Sequence, residues 1–274
     1  MANISDTHQQ RGDAHLLNLM LTPAGMDDPA PWYKRLREEM PVFESGSGSV
    51  FLTRFEDCRA LLRDGRFGSG ERRGSSSMLA TDVSPELRAY REEIGRRQQE
   101  GPRSMLFLNP PDHTRLRGLV SRVFTPRRIE GMRESIAALT EDCLDDLAER
   151  GGGDAIDILG WLPVNVIGQL VGVPREDWAH FRALVTIVVA NLEPAASLEE
   201  LKAATAAYEE MLAYFQGLVA QRRAHPADDL ISGLLEVEEE GDRLTEGELI
   251  STAILLFSAG METTQNLIGN GLGA

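Results

Sequence analysis

The stretch from Leu249 to Ala274 constrains the fold more than any other. It is apolar on nearly every side of a helix, with Ile254, Leu255, Leu256, Phe257, Leu267 and Ile268 spread over several faces. A helix of that kind belongs inside a protein. It is interrupted by Ala259-Gly260-Met261-Glu262-Thr263-Thr264. A glycine in a helix interior costs about 1 kcal/mol relative to alanine, and a buried carboxylate is costly unless something pairs with it or uses it. These unfavourable choices in succession mark a site. From Glu246 to about residue 272 the helix is about 40 Å long, enough to cross a domain as its central strut. Thr245 and Glu248 form the capping box that opens it.

The rest of the chain sets bounds. Its 274 residues suffice for one large domain or two small ones. With 42% hydrophobic and 26% charged residues, it is of ordinary globular composition. A formal charge of -15 argues against nucleic acid as a general partner, because phosphate binding needs a basic surface. Cys58 and Cys143 lie far apart without metal-ligand spacing. Each is spaced among leucines as a small buried hydrophobe would be, and no separate metal site is expected. No stretch has the length of a membrane span, and the polar N-terminus does not read as a leader, so a reducing cytoplasm is the expected location.

Residues 1–28 read as a flexible N-terminal arm, and 29–274 as a single domain without an internal boundary. Pro31 to Met40 reads as a short helix. Val42-Phe43 and Val50-Phe51-Leu52 flank a Gly/Ser-rich tip as a β-hairpin, and a helix follows from Phe55 to Arg63. Residues 64–83 read as loop. From Ser84 on, the pattern is mainly helical. Thr125-Pro126 opens a long helix to about Arg150, and Ala155 to Ile158 has the alternation of a short strand. Further helices are expected over Leu159–Val171, Glu176–Asn191 and Leu198–Arg223. The fold class is therefore mainly α with a small β-hairpin.

Two constellations carry chemistry. In Asn109-Pro110-Pro111-Asp112-His113-Thr114-Arg115-Leu116-Arg117 the prolines fit the start of a helix. His113 and Arg117 then fall one turn apart on one face, where they can hold an anionic group by charge-assisted hydrogen bonds. A solvated arginine face is the plainer reading, since Arg115, Arg122, Arg127 and Arg128 lie nearby. In the second constellation a helical threonine can bond back to a carbonyl one turn earlier. Gly260 leaves space beside the helix, and Glu262 with Thr263 can pass protons. The plainer alternative there is a polar stripe or a kink without chemistry.

Taken in order, these motifs resemble the cytochrome P450 family, the soluble bacterial haem-thiolate monooxygenases. The resemblance is carried by Met105 to Glu130, by Phe257 to Thr264, by Pro31-Trp32-Tyr33-Lys34-Arg35-Leu36-Arg37 and by the hairpin before Phe55-Glu56-Asp57. It implies that His113 and Arg117 bond the propionates of haem b. It places Ala259 and Gly260 where the central helix leaves room for dioxygen over the haem. Glu262 and Thr263 become the acid–alcohol pair that delivers protons. It further implies hydroxylation or epoxidation of a small apolar substrate with O2, and a ferredoxin- or flavin-type electron donor, which the arginines at 115, 122, 127 and 128 could meet. Met78, Leu79, Leu106, Val188, Val189 and Phe257 are candidate pocket lining.

Asn109 stands where the family usually has aspartate. The family's Glu-x-x-Arg helix and cysteine-bearing haem loop follow the central helix, and they do not follow it here. The expectation is thus a C-terminally truncated P450-like fold, inactive as given because the thiolate that assists O–O cleavage is missing. The alternative is a haem-free binding or activating partner of another enzyme.

Overall fold

The computed structural model describes residues 4–46, 48–69, 84–101, 103–190, 196–237 and 242–273. The chain divides into two compact units, Met1–Arg97 with Asn191–Glu199, and Gln98–Ala190 with Glu200–Ala274.

The first unit contains α1 (Ile4–Leu21), α2 (Pro23–Asp27), α3 (Ala30–Glu39), β1 (Val42–Glu44), β2 (Val50–Leu52), α4 (Phe55–Arg63) and most of α5 (Pro85–Glu100). Where the sequence reads as an arm, residues 4–21 form a helix. Its Leu16 and Leu19 are buried with Leu36, Met40 and Phe43. Thr22 Oγ1 caps α2 by accepting from Gly25 N at 3.1 Å, with Pro23 in the first turn. The hairpin forms as expected, β1 and β2 pairing antiparallel with Phe43 opposite Phe51 and their rings 5.3 Å apart. Cys58 departs from its expected burial. It is half-buried, with its thiol donating to Leu52 O at 3.5 Å, and its neighbours Phe55 and Leu62 are exposed. Residues 70–83, most of the expected loop, lie outside the described residues together with Met78 and Leu79.

The second unit is helical. After a 3-10 turn at Met105–Phe107 come α6 (Asp112–Val123), α7 (Pro126–Gly131), α8 (Arg133–Glu149), α9 (Ala155–Leu159) and α10 (Trp161–Val171). A second 3-10 turn, Arg175–Asp177, leads into α11 (Trp178–Ala190), followed by α12 (Leu198–Ala224), α13 (Leu230–Glu236) and α14 (Glu246–Gly273). Thr125 Oγ1 caps α7, accepting from Arg128 N at 3.2 Å, as the Thr-Pro pair predicts. The helix it opens stops at Gly131, and Met132 starts a new one, so the single helix expected to Arg150 is two. The segment Ala155–Ile158 is helical, not a strand. Asp154 Oδ1 accepts from Ile156 N at 2.8 Å, and that cap outweighs the local alternation. Gly172, at φ +97°, ends α10 in the left-handed conformation that suits glycine.

The core of this unit centres on Phe181, Phe215 and Phe257, all fully buried, from α11, α12 and α14. Phe181 meets Phe215 and Phe257 edge to face at centroid distances of 5.5 and 5.2 Å, a geometry that suits the ring quadrupoles. Leu249 to Ile254 of α14 are buried without a break. The helix packs against α9, α10, α11 and α13 as the central strut expected from its pattern. Past Met261 no residue of α14 is buried, and Leu267 and Leu272 are 71% and 62% exposed. No described helix is long and apolar enough to cross a membrane.

Candidate functional site

Both constellations fall in the second unit, one on α6 and the other on α14. These helices share two neighbours, the turn Met105–Phe107 and α13.

The chain enters α6 through Pro111 at the N-cap, and Asn109 O accepts from His113 N at 2.9 Å. Leu116, Leu119, Val120 and Val123 give α6 one buried stripe, spaced as an amphipathic helix requires. His113, half-buried, and Arg117, exposed, lie along one flank of that stripe. Neither side chain makes a hydrogen bond or ion pair among the described residues. Arg115, on the other flank, is engaged. Its Nη1 lies 3.2 Å from Asp242 Oδ2, and its Nη2 bonds Glu248 Oε1. Burial works against its charge, but Glu248 and Asp242 prevail and hold the guanidinium above its ordinary pKa. Arg128 is held as well, by Asp228 at 3.1 Å. Arg115 and Arg128, both among the arginines that the sequence offers to a partner, are therefore occupied within the chain.

On α14 the capping box forms as read. Glu248 N donates to Thr245 Oγ1 at 3.3 Å, and Thr245 N donates to Glu248 Oε2 at 2.8 Å. Further along, Thr263 Oγ1 donates to Ala259 O at 2.7 Å, the back-bond expected of a helical threonine. Ala259 and Thr263, one turn apart, are exposed, and Glu262 is half-buried. The helix is α-helical throughout, so the back-bond produces no break. Gly260 differs from expectation in one respect. A methyl group there would lie 2.9 Å from Ile167 Cδ1 and 3.0 Å from Ile167 Cγ1. The room at Gly260 is filled by α10, and the open position of the pair is Ala259.

Other expectations are redistributed. Phe257 sits inside the aromatic core, Val188 and Val189 pack against that core, and Leu106 is 60% exposed. Cys143 is buried on α8, where burial and then Asp142 and Asp146 push its thiol up and keep it protonated. Two features had no sequence signal. One is the bridge from Arg115 to Asp242 and Glu248. The other is the pair of buried α14 hydroxyls, Thr252 Oγ1 and Ser258 Oγ, which have no partner among the described residues.

No protein-family model matches the chain. Among known proteins it is similar to cytochrome P450 107B1 of Saccharopolyspora erythraea, 40% identical over 251 residues, covering 87% of this chain and 56% of that one. It is 35% identical over 253 residues to the cytochrome P450 monooxygenase PikC of Streptomyces venezuelae, covering 89% and 55%. Among solved structures, Mycobacterium smegmatis CYP164A2 in its ligand-free state aligns with a TM-score of 0.76 at 37% identity. That alignment covers 94% of this chain and 62% of the other. The chain thus spans somewhat over half the length of the relatives it matches.

The contact between Gly260 and Ile167 makes a prediction. Overpacking costs about 1–3 kcal/mol, against a helix-propensity gain of about 1 kcal/mol for glycine to alanine. Gly260→Ala is therefore expected to destabilise the chain by up to about 2 kcal/mol in urea unfolding. In an Ile167→Ala background the same change should become stabilising. An unchanged penalty there would show that Ile167 is not what excludes a side chain.

Proposed function

Because this chain belongs, in sequence and in fold, with the bacterial cytochromes P450, we propose that it is part of a haem-dependent monooxygenase acting on a small apolar substrate. One observation carries the reading beyond the family likeness. In a chain of net charge -15, His113 and Arg117 stand one turn apart with no partner among the described residues, while Arg115 between them is paired twice. Two unpaired donors on one exposed flank suit a ligand that brings its own carboxylates.

The haem propionates have that chemistry. Arg117 would offer its guanidinium fork to one carboxylate, and His113 a ring N–H to the same group or its neighbour. The residues on α14 would serve such a group in another way. Ala259 leaves its face of the helix open, with a methyl as its whole side chain. Thr263 Oγ1 donates its proton to Ala259 O at 2.7 Å, so the hydroxyl oxygen keeps lone pairs free to accept one further hydrogen bond. Glu262, next in sequence and half-buried, is the group from which Thr263 can be resupplied with a proton. When bound, haem supplies the activation of dioxygen that ends with one oxygen atom in the substrate, using electrons from a separate ferredoxin- or flavin-type donor. The apolar substrate would be held without charge pairing.

Two variants test the assignment in the haem-loaded full-length protein. Loss of a charge-assisted hydrogen bond costs about 1.5–3 kcal/mol. Arg117→Ala should accordingly speed haem transfer to excess apomyoglobin by about tenfold or more, and an unaltered transfer rate would remove the propionate role. Thr263→Ala should retain haem but divert reduced oxygen from product to peroxide, read as the ratio of product formed to electrons consumed. An unchanged ratio would remove the proton-delivery role.

A further inference from the structure

We infer that Arg115 is a positioning residue: by bridging α6 to the capped start of α14, it fixes the rotation of α6 that presents His113 and Arg117 as a pair. The inference rests on the reading of those two side chains as the clamp for the haem carboxylates. Successive residues of a helix turn by about 100°. Arg115, two positions from each, therefore lies on the flank opposite His113 and Arg117, with the buried stripe of Leu116, Leu119, Val120 and Val123 between them.

The acceptor on α14 is itself fixed. Glu248 Oε2 takes Thr245 N at 2.8 Å and Thr245 Oγ1 at 3.0 Å, closing the first turn of the helix, and Oε1 is left for Arg115. One carboxylate thus caps α14 and holds α6 at the same time. Asp242, from the segment just before the helix, takes the other arm of the guanidinium. An isolated surface pair would orient little, because both side chains would wander. Here the glutamate is 17% exposed and the arginine 33%, and a rigid planar fork meets carboxylates from two positions. Such an arrangement sets both the distance and the twist of α6. Without it the helix keeps its apolar stripe but can roll about it, and the clamp loses alignment although neither clamp residue has changed.

The test measures haem release to apomyoglobin from the loaded full-length protein, together with hydrogen exchange on the haem-free form. Arg115→Gln, Glu248→Gln and Arg115→Lys are each made alone and in a His113→Ala/Arg117→Ala background. Arg115→Gln and Glu248→Gln should each speed release by about tenfold and raise exchange in both α6 and residues 245–249. Lysine can meet only one carboxylate and should fall between. In the double-alanine background Arg115→Gln should add less than about twofold, because the clamp through which it acts is gone. An acceleration that persists undiminished in that background makes Arg115 merely structural and overturns the inference. Unchanged release from Arg115→Gln while Arg117→Ala still speeds it also overturns the inference and leaves the clamp standing. If Arg117→Ala itself releases haem no faster, the clamp reading fails, and the positioning role falls with it. Should Arg115→Gln not fold, Arg115→Lys and Asp242→Asn carry the same comparison.

Discussion

The burial of one end of α14 is the constraint on which the second unit depends. Leu249 to Ile254 present every face of the helix to protein, and Phe257 locks into the rings of Phe181 and Phe215 one turn further on. Each large side chain so enclosed contributes about 1.5–3 kcal/mol, so the rest of the unit is arranged to surround this segment. The same helix then emerges. Met261 is the last buried residue, and Ala259 and Thr263 sit on either side of it on the exposed face. The candidate chemistry is therefore placed where the helix leaves the core, with a rigid half behind it and an open face ahead. Preorganisation of this kind is what a proton-handling hydroxyl needs, since its position is set before any ligand arrives.

Helix α6 uses the same logic at smaller scale. Its apolar stripe fixes which side faces inward, one flank is tied by Arg115 to two carboxylates, and the other carries donors that have no partner among the described residues. Arg115 and Arg117, two arginines of one stretch of helix, are distinct in role. The electrostatic contrast lies between a guanidinium whose charge is matched within the chain and one whose charge is not.

What could be read from the sequence was what short-range chemistry decides. The Thr245–Glu248 box, the Thr125-Pro126 start and the Thr263 back-bond each need residues within one helical turn, and each is present. The hairpin and the strut followed from periodicity. Misreadings arose where two local signals competed. Alternation at Ala155–Ile158 lost to the Asp154 cap, and the continuous pattern after Pro126 concealed a break at Gly131. The bridge from Arg115 was out of reach for another reason. Its partners lie 127 and 133 residues away, and nothing in a run of arginines tells which one will meet them. Gly260 reads in the sequence as leaving space beside the helix, but that space is taken by Ile167, a neighbour that could be named only once α10 was in position.

The central claim is that His113 and Arg117 recognise carboxylates carried by the bound group. The direct measurement alters the ligand, comparing the affinity of the full-length protein for haem with its affinity for haem whose propionates are methyl esters. If the claim is right, esterification weakens binding by about tenfold or more, and the difference disappears in a His113→Ala/Arg117→Ala variant. Equal affinities for the two forms in the unaltered protein, or a difference that survives removal of both side chains, would contradict it.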